Sequence, residues 1–155
     1  MSFDFIDDKL EQYNMITEQL AVGTLYSSYD GFDVIVNMAY RYDGDGFRRH
    51  QMTTSIEGKK TIIRIGIHDT PSEPLDKILP HIIPVLLIAL QDGKRILVHC
   101  QAGMSRSASV AIALLSKYDT LSYEEALQLV KSKRPICQPN EGFSKMLETY
   151  CKTIL

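Results

Sequence analysis

Two hydrophobic periods alternate along this chain. Asp33 to Met38 and Arg95 to Val98 are short, apolar, β-branched runs of the kind that form buried strands. Ile16 to Val22 reads as a further strand. Met52 to Ile56 and Thr61 to Ile67 flank Glu57-Gly58 and read as a hairpin. From Leu75 to Leu90 the spacing becomes helical, through Ile78, Leu79, Ile82, Ile83 and Leu86. Pro80 and Pro84 inside that run argue for a kink or a late start. Ala108 to Leu115 predicts a small-residue helix that packs closely. Ser122-x-x-Glu125 is a capping box for a helix over Tyr123 to Ser132. Asn140 suits the N-cap of a last helix, Glu141 to Thr153. Asp4 to Tyr13 reads as a short amphipathic helix, and Arg41 to Gln51 as a polar loop. Strand and helix in alternation give an α/β fold: a central mixed, mostly parallel sheet flanked by helices, in one domain over residues 1–155.

Composition narrows the function classes. A chain of 155 residues can bury a full core. The net charge of −2 offers no broad basic face, so no nucleic-acid partner is expected. No membrane span is expected either, because the apolar stretch Ile82 to Leu90 is short and interrupted by Pro84. The N-terminus is acidic and lacks the pattern of a signal peptide. Three cysteines form no short paired motif, which speaks against a disulfide framework or a structural metal site. A reducing compartment follows: the cytoplasm, with the nucleus left open.

The chemistry concentrates in Val98-His99-Cys100-Gln101-Ala102-Gly103-Met104-Ser105-Arg106-Ser107. Cys100 follows a predicted strand, and Arg106 and Ser107 open a predicted helix, the sheet edge where α/β folds bind ligands. Backbone N–H groups of Gln101, Ala102, Gly103, Met104, Ser105 and Arg106 can turn inward on phosphate oxygens, aided by the helix N-terminus. Gly103 allows a positive φ or a close approach. The same field favours a thiolate at Cys100, the nucleophile. Arg106 can grip two phosphate oxygens at once. Ser107 can donate to the Cys100 sulfur as it leaves. His99 is expected to point away from the pocket and fix the loop.

This segment resembles the signature of the cysteine-dependent protein tyrosine phosphatase superfamily, and its Ser-Arg-Ser ending resembles the dual-specificity branch. Arg134-Pro135-x3-Pro139-Asn140-x-Gly142-Phe143 is similar to a second stretch of that branch, with Asn140 in a supporting role. Leu20 to Gly23 and Asp33 to Met38 resemble its early strands, so the resemblance spans roughly residues 16–155. It implies the phosphatase fold and a small, stand-alone domain. It also implies hydrolysis of phosphotyrosine, phosphoserine and phosphothreonine through a phosphocysteine intermediate, with no cofactor and no metal. The family's general acid precedes the cysteine by about thirty residues. Asp69, in Ile65-Gly66-Ile67-His68-Asp69-Thr70-Pro71, lies 31 residues before Cys100 and takes that role. Asp76 and the pair Asp43/Asp45 are its rivals, and Asp69 is otherwise a turn former before Pro71.

Gln101, Ala102 and Met104 are uncharged, which favours a phosphoprotein partner over an inositol phospholipid. An RNA 5′-phosphate and a phosphate-binding module without turnover are the remaining alternatives. Arg41, Arg48, Arg49 and His50 form either a basic rim or a solvated loop. Lys131 to Arg134 reads as a helix end that balances its dipole. Cys137 and Cys151 are candidate partners for an oxidised Cys100. Oligomeric state is not readable from the chain.

Overall fold

The computed structural model describes residues 12–39 and 50–153. Six strands form one sheet: β1 (Tyr13–Met15), β2 (Leu20–Gly23), β3 (Val34–Asn37), β4 (Met52–Glu57), β5 (Lys60–Ile65) and β6 (Ile96–His99), in the order β1-β2-β6-β3-β5-β4. The three central pairings, β2 with β6, β6 with β3 and β3 with β5, are parallel; the two outer pairings are antiparallel. This is the mixed, mostly parallel sheet that the apolar runs predict. Among the described residues four helices follow: α1 (Leu75–Gln91), α2 (Arg106–Tyr118), α3 (Tyr123–Lys133) and α4 (Glu141–Lys152).

Alternation along the strands sorts the core into two clusters. Leu20, Val22, Val34, Val36, Ile63, Ile65, Ile96 and Val98 pack with the buried residues of all four helices. Ala21, Ile35, Ile62 and Leu97 face the other way, with Phe32, Tyr13 and Tyr29 against them. Helix α2 is the central one, buried from Ser107 to Ser116. Its alanines and serines permit the close approach that the sheet behind it and the helices beside it require.

The pattern misplaces some boundaries. The strand expected over Ile16 to Val22 begins only at Leu20, because Thr17 Oγ1 accepts from the amides of Gln19 and Leu20 and turns the chain there. Tyr13, expected to end a helix, instead lies in β1, paired with Gly23; Asp4 to Glu11 lie outside the described residues. Helix α1 starts at Leu75 without delay and runs through both prolines. Pro80 and Pro84 sit on its exposed side, where water can satisfy the carbonyls they leave unpaired. The capping box forms as expected, with Ser122 Oγ accepting from the Glu125 amide and Glu125 Oε1 from the Ser122 amide. Asn140 caps α4 through its Oδ1 and the Phe143 amide, 2.9 Å apart. Most of Arg41 to Gln51, including Asp43, Asp45, Arg41, Arg48 and Arg49, lies outside the described residues.

The register sets the site. Gly23, His99 and Asn37 align across β2, β6 and β3, and Asn37 aligns with Arg64 of β5. Four parallel strands therefore release their chains at one edge. The segment after β6 begins with Cys100, and the segment after β5 carries Asp69. β6 has chain crossovers on both sides, so its end is the crevice where ligands bind in open α/β sheets.

Candidate active site

The segment from Cys100 to Arg106 is held from outside by its carbonyls. The Gln101 carbonyl accepts from the Leu25 amide at 3.4 Å. The Ala102 and Gly103 carbonyls accept from Arg134 Nη2 and Nε at 3.2 and 2.9 Å. The Met104 carbonyl accepts from the Gln138 amide at 2.8 Å. The Ser105 carbonyl accepts from the Ser109 amide and hydroxyl. With five successive carbonyls tied outward, the peptide planes turn their N–H groups to the concave side. Among the described residues, no amide from Gln101 to Ser105 finds a protein acceptor. Gly103 is essential to the curve. Its φ is +67°, and a Cβ there would meet Arg134 Nη2 at 2.7 Å and the Gly23 carbonyl oxygen at 2.8 Å.

Cys100 is buried at the base of this loop, its amide donating to the Gly23 carbonyl. Its Sγ lies 3.2 Å from Ser107 Oγ, the first-turn hydroxyl of α2. Arg106 opens that helix. Its Nη1 donates to the Ile67 carbonyl at 3.0 Å, and its buried Nε has no partner among the described residues. The arginine thus links the cysteine loop to the Asp69 loop.

Asp69 is exposed, and its Oδ1 accepts from Asn140 Nδ2 at 2.8 Å. Asn140 spends its oxygen on capping α4 and its amide on Ser105 Oγ. One residue therefore joins the aspartate, the cysteine loop and α4. Gly142 lets these segments meet: a Cβ there would overlap the Pro71 carbonyl. Glu73, almost fully buried, accepts from the His68 amide at 2.8 Å and meets His50 Nε2 at 3.0 Å. Of the rivals to Asp69, Asp76 lies in the first turn of α1, on its exposed face.

Sequence reasoning missed several parts of this frame. Arg134 is not a solvated helix-end charge. It is 3 % exposed, and besides the two loop carbonyls its Nη1 donates to Asn14 Oδ1 at 2.7 Å. Arg134 follows Val130, the last buried residue of α3, by four positions, and that spacing is the signal that could have drawn it inward. Lys131 and Lys133 do fall in the last turn of α3. His50 faces Glu73, a buried carboxylate, so it acts as a clamp on the loop after β5. Burial pushes the Cys137 thiol up to about 11, against the opposing pull of Arg134; this protonated thiol donates to the Gly103 carbonyl at 3.5 Å. Burial also raises the Cys151 thiol.

His99 is buried, and its Nε2 lies 2.7 Å from Tyr29 Oη. Burial pushes the imidazole down to about 4, opposed by the Cys100 backbone. The unfolded chain, with an ordinary histidine near 6.5, binds the extra proton first. Stability from the neutral ring is therefore complete above about pH 6.5 and is lost as pH falls toward 4. At pH 5 the loss amounts to about 2 kcal/mol. Urea midpoints at pH 7 and pH 5 check this: His99→Asn should flatten the difference, and an unchanged difference would assign it to the carboxylates.

A buried thiol under a ring of inward amides, a guanidinium at the helix start and a carboxylate across the cleft define the class of a cysteine-based phosphate-handling domain. The family described as "Dual specificity phosphatase, catalytic domain" matches residues 18–153, and the chain belongs to it. Dual specificity protein phosphatase 15 of Rattus norvegicus is 38% identical over 90 residues, which cover 58% of this chain and 38% of that protein. Dual specificity phosphatase 28 of Homo sapiens is 40% identical over 91 residues, covering 57% of this chain and 50% of that protein. The matched stretch thus spans half or less of these relatives. The crystal structure of human DUSP28 superposes with a TM-score of 0.75 at 26% identity, covering 90% of this chain and 93% of that one. No described helix is long and apolar enough to cross a membrane.

Proposed function

We propose that this domain hydrolyses phosphate monoesters on proteins, at tyrosine and at serine or threonine, through a phosphocysteine intermediate. The observation that carries the reading is the loop itself, with five carbonyls tied outward and the partnerless Nε of Arg106 beside them. A buried donor without a partner, as Arg106 Nε is, is costly, and the loop amides beside it have no acceptor among the described residues. A tetrahedral dianion supplies several acceptors at once and offsets that cost.

In the first step the Cys100 sulfur attacks phosphorus, and the ester oxygen departs with a proton from Asp69. Asn140 aims that carboxyl by holding Oδ1. Arg106 and the loop amides stabilise the charge that spreads over the equatorial oxygens. In the second step Asp69 takes a proton from water, the water attacks phosphorus, and the sulfur leaves. Ser107 Oγ, already 3.2 Å from Sγ, donates to the departing thiolate. A free thiol nucleophile works in a reducing compartment, which supports a cytoplasmic setting. The neutral side chains of Gln101, Ala102 and Met104 offer no cation for the extra phosphates of an inositol lipid, which supports a protein substrate.

Asp69→Asn tests the assignment. Turnover of an alkyl or phenyl phosphate should fall about 100-fold. A substrate with a much better leaving group should lose far less, and inhibition by orthophosphate should be unchanged. An equal loss on both substrates would move the acid elsewhere.

A further inference from the structure

Among the described residues nine large apolar side chains are exposed, and four of them border the cysteine loop: Leu25, Tyr26, Met104 and Ile136. Tyr26 is 81% exposed. Leu25, Met104 and Ile136 are placed by contacts of their own segments with the loop, and Tyr26 follows Leu25 with its amide on Thr24 Oγ1. The chain leaving β2 crosses the loop where the Leu25 amide meets the Gln101 carbonyl, and the Gly23 carbonyl accepts from Cys100. Met104 belongs to the loop. Ile136 sits between Arg134 and Cys137, which hold Gly103, and Gln138, which holds Met104. The four therefore form an apolar bank along the cysteine loop.

Two charges of the neighbouring described segment are turned from it or occupied. Arg134 is buried beneath the loop, and Lys131 Nζ donates to Gln138 Oε1 at 3.0 Å. Solvated loops rarely gather large apolar side chains without a partner to cover them. The partner here is set by what the loop holds: a chain that enters with a phosphorylated side chain must lay its neighbouring residues along the rim. We infer that this bank is a specificity surface for phosphoprotein segments with large apolar or aromatic residues beside the phosphorylated position. The inference rests on the phosphatase reading above and adds the character of the flanking sequence to it.

The test uses the full chain and two phosphotyrosine peptides that differ only in their flanks, one with leucine and phenylalanine, the other with serine and aspartate. The apolar peptide should show a kcat/KM higher by roughly tenfold. The triple variant Leu25→Ser, Tyr26→Ser, Ile136→Ser should lose that preference and keep turnover of p-nitrophenyl phosphate within about twofold, since all three side chains lie on the surface. Equal kcat/KM for the two peptides, or a preference that survives the triple variant, would overturn the inference. Equilibrium binding of the same peptides to Cys100→Ser protein separates the two readings. A flank preference in binding that the triple change removes supports the rim even where turnover is absent. Equal binding rejects the rim even where turnover is intact.

Discussion

Cys100→Ser should lower hydrolysis of p-nitrophenyl phosphate by a factor on the order of 10⁵ while leaving phosphate binding in place. The substitution keeps a small buried group near Ser107 Oγ and disturbs none of the hydrogen bonds that hold the loop carbonyls. What it removes is the nucleophile. A serine hydroxyl attacks phosphorus only if a base takes its proton, and the adjacent imidazole is a weak base, pushed down to about 4 by burial. His99 Nε2 is engaged by Tyr29 Oη, and burial holds the ring in place. Steady-state turnover together with a dissociation constant for a phosphopeptide separates the two effects. Rapid-quench capture of an acid-labile phosphoenzyme in the parent protein, absent from the variant, adds the covalent step. Full turnover in Cys100→Ser would remove the phosphocysteine mechanism and leave a direct attack by water.

The cysteine and arginine of this site were legible because a strand, a loop and a helix start follow one another within a dozen residues. Local order then fixes relative position. Asp69 was legible by its spacing and by the β-rich run before it, which places it at the same sheet edge. The buried supports were not. Arg134 lies 31 residues beyond Gly103 and reaches its carbonyl only because α2 and α3 fold back beneath the loop. A polar side chain that serves backbone carbonyls carries no periodic signature, and a Lys-Ser-Lys-Arg run looks the same whether its last member is solvated or buried. Glu73 poses the same problem, since nothing in Ser72-Glu73-Pro74 marks a carboxylate that is 2% exposed. The short strand β1 was hidden for a different reason. Three partly exposed residues carry too little alternation to show a period, and pairing with β2 decides their conformation.

Arg106→Lys should cost about 10³-fold in kcat/KM, although the charge is conserved. The guanidinium performs two tasks with different nitrogens. Nη1 donates to the Ile67 carbonyl and so fixes the segment that carries Asp69, and the buried Nε remains as a donor beside the cysteine loop. An ammonium group can satisfy one of these directions and not both. If lysine keeps to the phosphate oxygens, the Ile67 carbonyl is released and the aspartate loses its register with the leaving oxygen. If lysine keeps to Ile67, the equatorial oxygens lose their fork. Because the first route passes through Asp69, the two residues should not act additively. In an Arg106→Lys background, Asp69→Asn should cost far less on phenyl phosphate than the roughly 100-fold loss in the parent. A double-mutant cycle measured on that substrate decides it: full additivity would mean that Arg106 stabilises only the phosphoryl group, and that the Ile67 bond does not hold the acid in place.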